Sequence, residues 1–185
     1  MLIISQNLTN YEVDIPQDAI FRINLAWVDS IADLESQLKK ISSPVFLDLP
    51  TGRTKPPNNN YSLDQISGIV KENSNIKYFA VSNVESSSDL SIYLDCFGDS
   101  LTLVPKIETK KGIDNIAEIT EVLSGKIYLM LDHDDLFRDL QDKGIPPSKF
   151  FVIIDKLVDF CDSKSIQLLR MRGVIFSNED EYFYK

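Results

Sequence analysis

The chain has 185 residues, which suffices for one domain with a sizeable core and leaves little room for a second. Hydrophobic residues make up 43% and charged residues 25% of the chain, which excludes collagen, coiled-coil and disordered classes. Acidic residues (28) outnumber basic residues (19), and the net charge of -9 argues against broad electrostatic binding to nucleic acid or to an anionic membrane. We therefore predict a single domain over residues 1–185.

The sequence carries no targeting or membrane signal that we recognise. The first residues have no basic region and too short an apolar run for a signal peptide, and no apolar segment approaches about 18 residues. The two cysteines, Cys96 and Cys161, lack the spacing of a redox or zinc motif. We expect a cytoplasmic protein. Its single histidine, His133, excludes a multi-histidine zinc site, so any metal is expected to be Mg²⁺ or Mn²⁺ on oxygen ligands.

Short apolar segments alternate along the chain with amphipathic helical patterns. Asp29 or Ser30 is predicted to cap the first helix and Ser62 the second. A loop rich in turn-forming residues, 51–60, lies between them. The predicted strands are 2–4, 21–27, 44–49, 76–82, 101–107, 126–131 and a segment within 167–176. The predicted helices are 31–41, 63–73, 88–97, 112–123 and 146–163.

This alternation predicts an α/β fold with a parallel sheet. Its strands are almost continuously apolar, as expected where both faces of a sheet are covered. About seven parallel strands predict a TIM-type (β/α) barrel that is shortened or incomplete, because a complete barrel usually needs about 200–250 residues. An incomplete barrel leaves unpaired strand edges. We expect irregular segments to cover these edges or a homo-oligomer to form through them.

Polar residues cluster where the predicted strands end, which is the edge at which parallel α/β folds bind ligands. Lys106 and Glu108 are two residues apart on one strand and therefore point to the same face. Together with Asp135, after the next strand, Glu108 can hold one divalent ion, and the spacing leaves open whether Asp132 or Asp134 takes the place of Asp135. The same residues also suit a simple ion pair at a strand end and a carboxylate that caps a helix.

Three further side chains leave two interpretations open. His133 lies beside the acidic cluster and suits either a general base or an exposed, helix-capping residue. Arg170 and Arg172 alternate on the last predicted strand and suit either an anion site or a structural pair. The 51–60 loop has a single glycine and lacks the pattern of a phosphate-binding loop, although it suits an active-site loop.

Several collinear motifs between about residues 19 and 140 resemble the barrel domain of pyruvate kinase. The segment 104–119 reads VPKIETKKGIDNIAEI and is similar to the lysine- and glutamate-bearing strand of that family. Four more segments resemble family motifs in the same order, namely FRINLAW, PVFLDLPTGRT, SNVESSSDL and IYLMLDHDDL. The pattern is also similar to the citrate lyase β-subunit and 2-keto-diacid aldolase family, which shares the phosphoenolpyruvate/pyruvate barrel. The chain looks like a shortened barrel that lacks the B and C domains of pyruvate kinase.

The resemblance implies a role for each matching residue. It implies a catalytic lysine at Lys106, metal ligands at Glu108 and Asp135, substrate-binding arginines at Arg22 and Arg53, and K⁺ ligands at Asn24 and Asp48. Ala26 and Leu49 stand where the family has hydroxyl residues, which puts the K⁺ site in question.

We therefore expect a pyruvate kinase-like, Mg²⁺-dependent enzyme that acts on phosphoenolpyruvate, pyruvate or a related keto acid through a metal-stabilised enolate. Two alternatives remain open at this point. One is a non-catalytic barrel that serves as a binding or assembly module, and the other is a lyase that makes or breaks a carbon–carbon bond. In each case the expected partner is a small molecule, or a second copy of the chain, and neither nucleic acid nor a membrane.

Overall fold

The computed structural model describes residues 3–5, 18–51 and 56–170 of the chain. Its strands form one parallel sheet in which each strand pairs with the next in chain order. Because every connection advances to the next strand in the same direction, the helices cover one face and the sheet curls around the other. The strands are β1 (Ile3–Ser5), β2 (Ile20–Asn24), β3 (Val45–Leu49), β4 (Ile76–Val81), β5 (Thr102–Ile107), β6 (Tyr128–Leu131) and β7 (Gln167–Arg170).

The predicted α/β class and the predicted parallel strands are confirmed, but the sheet is not a closed TIM barrel. Within the described ranges, β1 pairs only with β2, and β7 pairs only with β6. Closure requires the first and last strands to pair with a fixed stagger. The seven strands instead form an open, curled half-barrel with two edges.

Short polar side chains cap the first turns of several helices. Ser30 Oγ accepts a hydrogen bond from the Asp33 N–H at 3.1 Å. Ser62 and Gln65 form a reciprocal capping box, so both predicted serine caps are confirmed. The helices are α1 (Ile31–Leu38), α2 (Leu63–Glu72), α3 (Ser88–Phe97), α4 (Lys110–Asp114), α5 (Ile116–Glu121), α6 (His133–Asp142) and α7 (Phe150–Ser163). Over the described ranges, none of them has both the length and the apolar character needed to cross a bilayer.

Three elements differ from the sequence prediction. The helix predicted over 112–123 is two short helices, α4 and α5, which meet at Asn115. The helix α6 was not predicted, since only Leu136 and Leu140 of its residues are buried and its apolar face is correspondingly narrow. The strand predicted over 21–27 ends at Asn24, because the Asn24 side chain accepts the Ala26 N–H at 3.0 Å and caps a 3-10 turn.

The sheet has an apolar core on each face. The larger core lies between the sheet and the helices, and its largest fully buried side chains include Phe79, Ile23 and Leu129. The smaller core lies on the inner, concave face and consists of Ile20, Phe46, Ala80, Val104 and Tyr128, with Tyr78 and other side chains against it. Aromatic rings connect its strands, with centroids 6.2 Å apart for Phe46–Tyr78 and 5.6 Å for Tyr78–Tyr128. This layer forms the floor of the polar site described next.

Candidate functional site

Polar side chains replace apolar ones on the inner face as the strands approach their carboxyl ends. On β5, Val104 belongs to the inner core, and Lys106 and Glu108 follow it at two-residue spacing. On β3, Phe46 is followed in the same way by Asp48. Alternation along a strand returns these side chains to the same face. The inner face therefore carries an aromatic floor with a charged rim at the carboxyl edge.

Lys106 and Glu108 form a buried ion pair, which confirms the prediction that they share a face. Lys106 Nζ lies 2.8 Å from Glu108 Oε1, and the two residues are only 7% and 4% exposed. Lys106 Nζ also donates to Ser82 Oγ at 3.3 Å. Burial by itself lowers the pKa of Lys106, but the Asp48 and Glu108 carboxylates outweigh it and raise that pKa above its ordinary value. The lysine therefore carries its positive charge at neutral pH.

Asp48 joins Lys106 to Arg22. The fully buried Asp48 carboxylate accepts a hydrogen bond through Oδ2 from Arg22 Nε at 3.0 Å and from Arg22 Nη2. Its other oxygen, Oδ1, lies 3.9 Å from Lys106 Nζ and has no hydrogen-bond partner among the described residues. Buried carboxylate oxygens without a hydrogen-bond partner are rare in proteins, so the position of Asp48 Oδ1 requires an explanation.

The backbone of the β4–α3 loop holds the other side of Glu108. The Asn83 N–H donates to Glu108 Oε2. Asn83 has a φ of +55°, in the left-handed region, and its side-chain amide donates to Thr51 O at 3.1 Å. Burial raises the pKa of Glu108, whereas the Lys106 ammonium and the Asn83 N–H act in the opposite direction. Both oxygens of this carboxylate thus have a donor.

Neighbouring elements fix the conformation of that loop. Asp89 Oδ2 accepts the N–H groups of Glu85 and Ser86, each at 2.9 Å. Asn115 donates to Glu85 O at 2.8 Å from the junction of α4 and α5. Gly112 packs so closely that a Cβ at that position would lie 2.6 Å from Val84 O. The loop is therefore held at its start and along its length.

Glu108 also belongs to a group of three carboxylates. One oxygen from each of Glu108, Asp132 and Asp135 lies within 4.8 Å of the others. Asp132 caps α6 by accepting the N–H groups of Asp134 and Asp135 through Oδ1, both at 3.2 Å. Three carboxylate oxygens converging from a strand end and a helix start suit a hard divalent cation such as Mg²⁺. The arrangement fits such an ion chemically, although acidic groups also cluster without one.

A direct contact connects the two elements that bear these acids. Asp139 on α6 accepts the Lys110 N–H at 2.7 Å, at the first turn of the helix that follows Glu108. Lys143 Nζ lies 2.8 Å and 2.9 Å from the two Asp139 oxygens. The separation of Glu108 from the start of α6 therefore depends on Asp139.

The remaining predicted site residues fall in several places. Asn24 caps the 3-10 turn Leu25–Trp27, whose tryptophan is 52% exposed. His133 is the first residue of α6 and is half-buried, with its ring 6.5 Å from the Phe150 ring; burial, assisted by Arg170, lowers its pKa. Arg170 is exposed at the end of β7. Arg53 and Arg172 lie outside the described residues.

Sequence reasoning missed one participant and left another open. The sequence favoured Asp135 and left Asp132 as an alternative to it, whereas the structure brings both into the acidic group; the signal for Asp132 is its position as an N-cap ahead of two further aspartates. The Asn83 backbone N–H left no signal in the side-chain pattern, because its position depends on the path of a loop.

Comparisons with known proteins indicate the fold only. No model of a known protein family matches the sequence, and no curated protein matches it. Among solved structures, 308 chains share the fold, too many to point to one activity. One is the crystal structure of RipC from Yersinia pestis, with a TM-score of 0.61 and 19% sequence identity, covering 98% of this chain and 78% of that one.

These findings overturn the family resemblance read from the sequence. Identification with the pyruvate kinase barrel, or with the citrate lyase β-subunit and 2-keto-diacid aldolase family, is wrong: no family matches, and the sheet is an open half-barrel. Parallel α/β sheets of many functions bind ligands at the carboxyl ends of their strands, so a few polar motifs at those ends do not identify one family. The contacts of each residue, and not the resemblance, therefore indicate its role.

Proposed function

We propose that this protein is a Mg²⁺-dependent enzyme that binds pyruvate, phosphoenolpyruvate or a related 2-keto acid and stabilises its enolate. The observation that carries the proposal is the placement of a buried lysine, 2.8 Å from Glu108, beside a group of three carboxylates. A fixed positive charge next to a site for a divalent cation is an arrangement suited to developing negative charge on oxygen.

In this proposal Glu108 and Asp135 hold the ion, with Asp132 as a third ligand, and Mn²⁺ can replace Mg²⁺. When bound there, the ion would supply Lewis-acid chemistry toward a keto or enolate oxygen of the substrate. Mg²⁺ typically keeps several waters and takes only one or two protein carboxylates, which leaves positions for substrate oxygens. The partial exposure of Asp132 and the exposure of Asp135 leave that side of the ion open to a small ligand.

Lys106 and Arg22 supply the positive charge on the protein side. Lys106 carries its proton and lies on the inner face of the sheet beside Glu108, where it would stabilise charge on the enolate oxygen. The Arg22 side chain is 29% exposed and uses Nε and Nη2 on Asp48, so other guanidinium N–H groups remain to bind a carboxylate or phosphate of the substrate. The roles of Arg53 as a second anion-binding residue and of Asn24 and Asp48 as K⁺ ligands stay predictions from the sequence, and this proposal does not depend on them.

The test separates metal binding from enolate formation. Calorimetry with Mg²⁺, followed by oxalate as an enolate mimic, measures the site, and proton NMR of pyruvate in D₂O measures exchange at its methyl group. We expect Glu108→Gln to weaken Mg²⁺ binding at least about tenfold and to abolish exchange. Lys106→Met should abolish exchange while it retains the metal.

Matched controls are Glu121→Gln and Lys71→Met, on exposed positions of α5 and α2. Both should behave as the unmodified protein. Normal exchange in Lys106→Met would contradict the proposed role of the lysine.

A second candidate, a non-catalytic binding or assembly module, is favoured by one contact. Both Glu108 oxygens already have donors, as in a purely structural ion pair. If the unmodified protein binds neither Mg²⁺ nor oxalate at millimolar concentration, this candidate replaces the enzyme.

We propose further that the protein acts in the cytoplasm and binds neither nucleic acid nor membranes. The net charge of -9 supports the absence of nucleic-acid and membrane binding, because anionic polymers and surfaces repel an acidic protein.

A further inference from the structure

A metal ion at Glu108 must compete with the donors that this carboxylate already has. Lys106 Nζ lies 2.8 Å from Oε1, and the Asn83 N–H donates to Oε2. The Asn83 donor is backbone and is fixed by the loop, whereas the lysine side chain can move. A divalent cation that approaches Glu108 therefore repels the Lys106 ammonium.

A displaced lysine needs another anionic acceptor, because a buried ammonium without one is strongly disfavoured. The nearest is Asp48 Oδ1, which is fully buried, lies 3.9 Å from Nζ and has no hydrogen-bond partner among the described residues. Nζ has to approach it only to about 3 Å to make a normal hydrogen bond. Arg22 holds the other oxygen, Oδ2, and thereby keeps Oδ1 directed towards the lysine.

We propose that Lys106 transfers from Glu108 to Asp48 Oδ1 when a divalent cation binds, and that Asp48 is the positioning residue that makes this transfer possible. The inference rests on the proposed metal site and deepens it. Ser82 Oγ, 3.3 Å from Nζ, is the contact about which the ammonium pivots. The unfilled oxygen of Asp48 is thus explained as the acceptor that serves the metal-bound form.

A double-mutant cycle tests the coupling between Asp48 and Lys106. Calorimetry measures Mg²⁺ affinity for the unmodified full chain, Asp48→Asn, Lys106→Met and the double variant. We expect Asp48→Asn to weaken Mg²⁺ binding about tenfold, because a neutral amide oxygen can accept a hydrogen bond from the ammonium but cannot balance its charge. In the Lys106→Met background, which has no lysine to displace, the same substitution should leave the affinity unchanged.

Asp64→Asn is the charge-matched control, since it removes one negative charge from an exposed position on α2. It accounts for any general loss of attraction between the acidic protein and a cation. An equal loss for Asp48→Asn in both backgrounds, or no loss beyond that of Asp64→Asn, overturns the transfer. If the unmodified chain does not bind Mg²⁺, the proposed function fails together with the transfer. If it binds Mg²⁺ but the variants show no coupling, only the transfer fails.

A measurement on the unmodified protein removes any dependence on how Asp48→Asn folds. Carboxyl ¹³C resonances are followed while Mg²⁺ is added. We expect those of both Asp48 and Glu108 to shift with the same apparent affinity, while that of Asp64 stays constant. Movement of Glu108 alone would overturn the transfer.

Discussion

At the scale of single residues, the geometry of Glu108 depends on a backbone donor in an uncommon conformation. Asn83 adopts the left-handed region, which asparagine tolerates better than most residues. The adjacent Val84 N–H donates to Lys106 O at 3.3 Å, which ties the loop to β5. Gly112 is what permits this close approach, because only a residue without a Cβ leaves room for Val84 O.

Gly112→Ala should therefore destabilise the protein. The new Cβ would lie 2.6 Å from Val84 O, a backbone atom that cannot rotate away, and we expect the free energy of unfolding to fall by about 1–3 kcal/mol. Gly68→Ala is the control, because a Cβ there meets nothing within 4 Å on α2 and should stabilise the helix by about 0.5–1 kcal/mol. Urea denaturation measures both, and equal effects in the two variants would contradict the steric argument.

At the scale of elements, the sequence predicts local features such as helix caps, but it does not predict the register in which the elements pack together. Ser62 predicts the start of α2, because a capping residue and its partner Gln65 lie only three residues apart in the chain. Periodic apolar residues continued across Asn115, so the break between α4 and α5 left no trace in the pattern. The pairing of Lys106 with Glu108 follows from their spacing on one strand. The approach of Asp48 to Lys106 depends instead on how β3, β4 and β5 pair in the sheet, which the sequence does not show.

The start of α3 should respond to acid through Asp89. Hydrogen bonds from the Glu85 and Ser86 backbone outweigh the effect of burial and lower the pKa of Asp89 below its ordinary value of 3.8. Its contribution to stability is therefore present above that ordinary value and is lost as the pH falls through the lower, folded-state pKa. Asp89→Asn should lower the urea midpoint at pH 7, and the difference should shrink as the pH falls below 3.8.

Asp95→Asn, at an exposed position of the same helix, is the charge-matched control for this titration. A difference between Asp89→Asn and the unmodified protein that persists unchanged into acid would show that the carboxylate charge is not what holds the loop.

At the scale of the whole molecule, the open sheet sets the arrangement of surfaces. Within the described ranges, β1 and β7 each have a partner on one side only. The helix α7, which packs beside β7, exposes Phe151 (72%) and Val152 (48%) to solvent. Sheet edges and exposed apolar side chains are both features through which copies of a chain associate. The number of predicted strands indicates that the sheet has edges, but the sequence does not predict that α7 exposes Phe151 and Val152.

We expect the chain to self-associate through the β7 edge. Light scattering over a concentration series should give about twice the mass of one chain, and Phe151→Lys should reduce that mass by placing a charge in the contact. Ile92→Lys, at another apolar and exposed position, on α3, should leave the mass unchanged. A single-chain mass for the unmodified protein at every concentration would contradict the association.

The 3-10 turn after β2 has a practical consequence for studying the carboxyl edge. Trp27 is the only tryptophan in the chain, and half of its surface is in water. Its turn is capped by Asn24, on the strand that also bears Arg22. Indole emission changes colour and intensity with the polarity of its surroundings, and no second indole obscures it here. The intrinsic fluorescence of Trp27 can therefore be used to screen ligands without an attached dye.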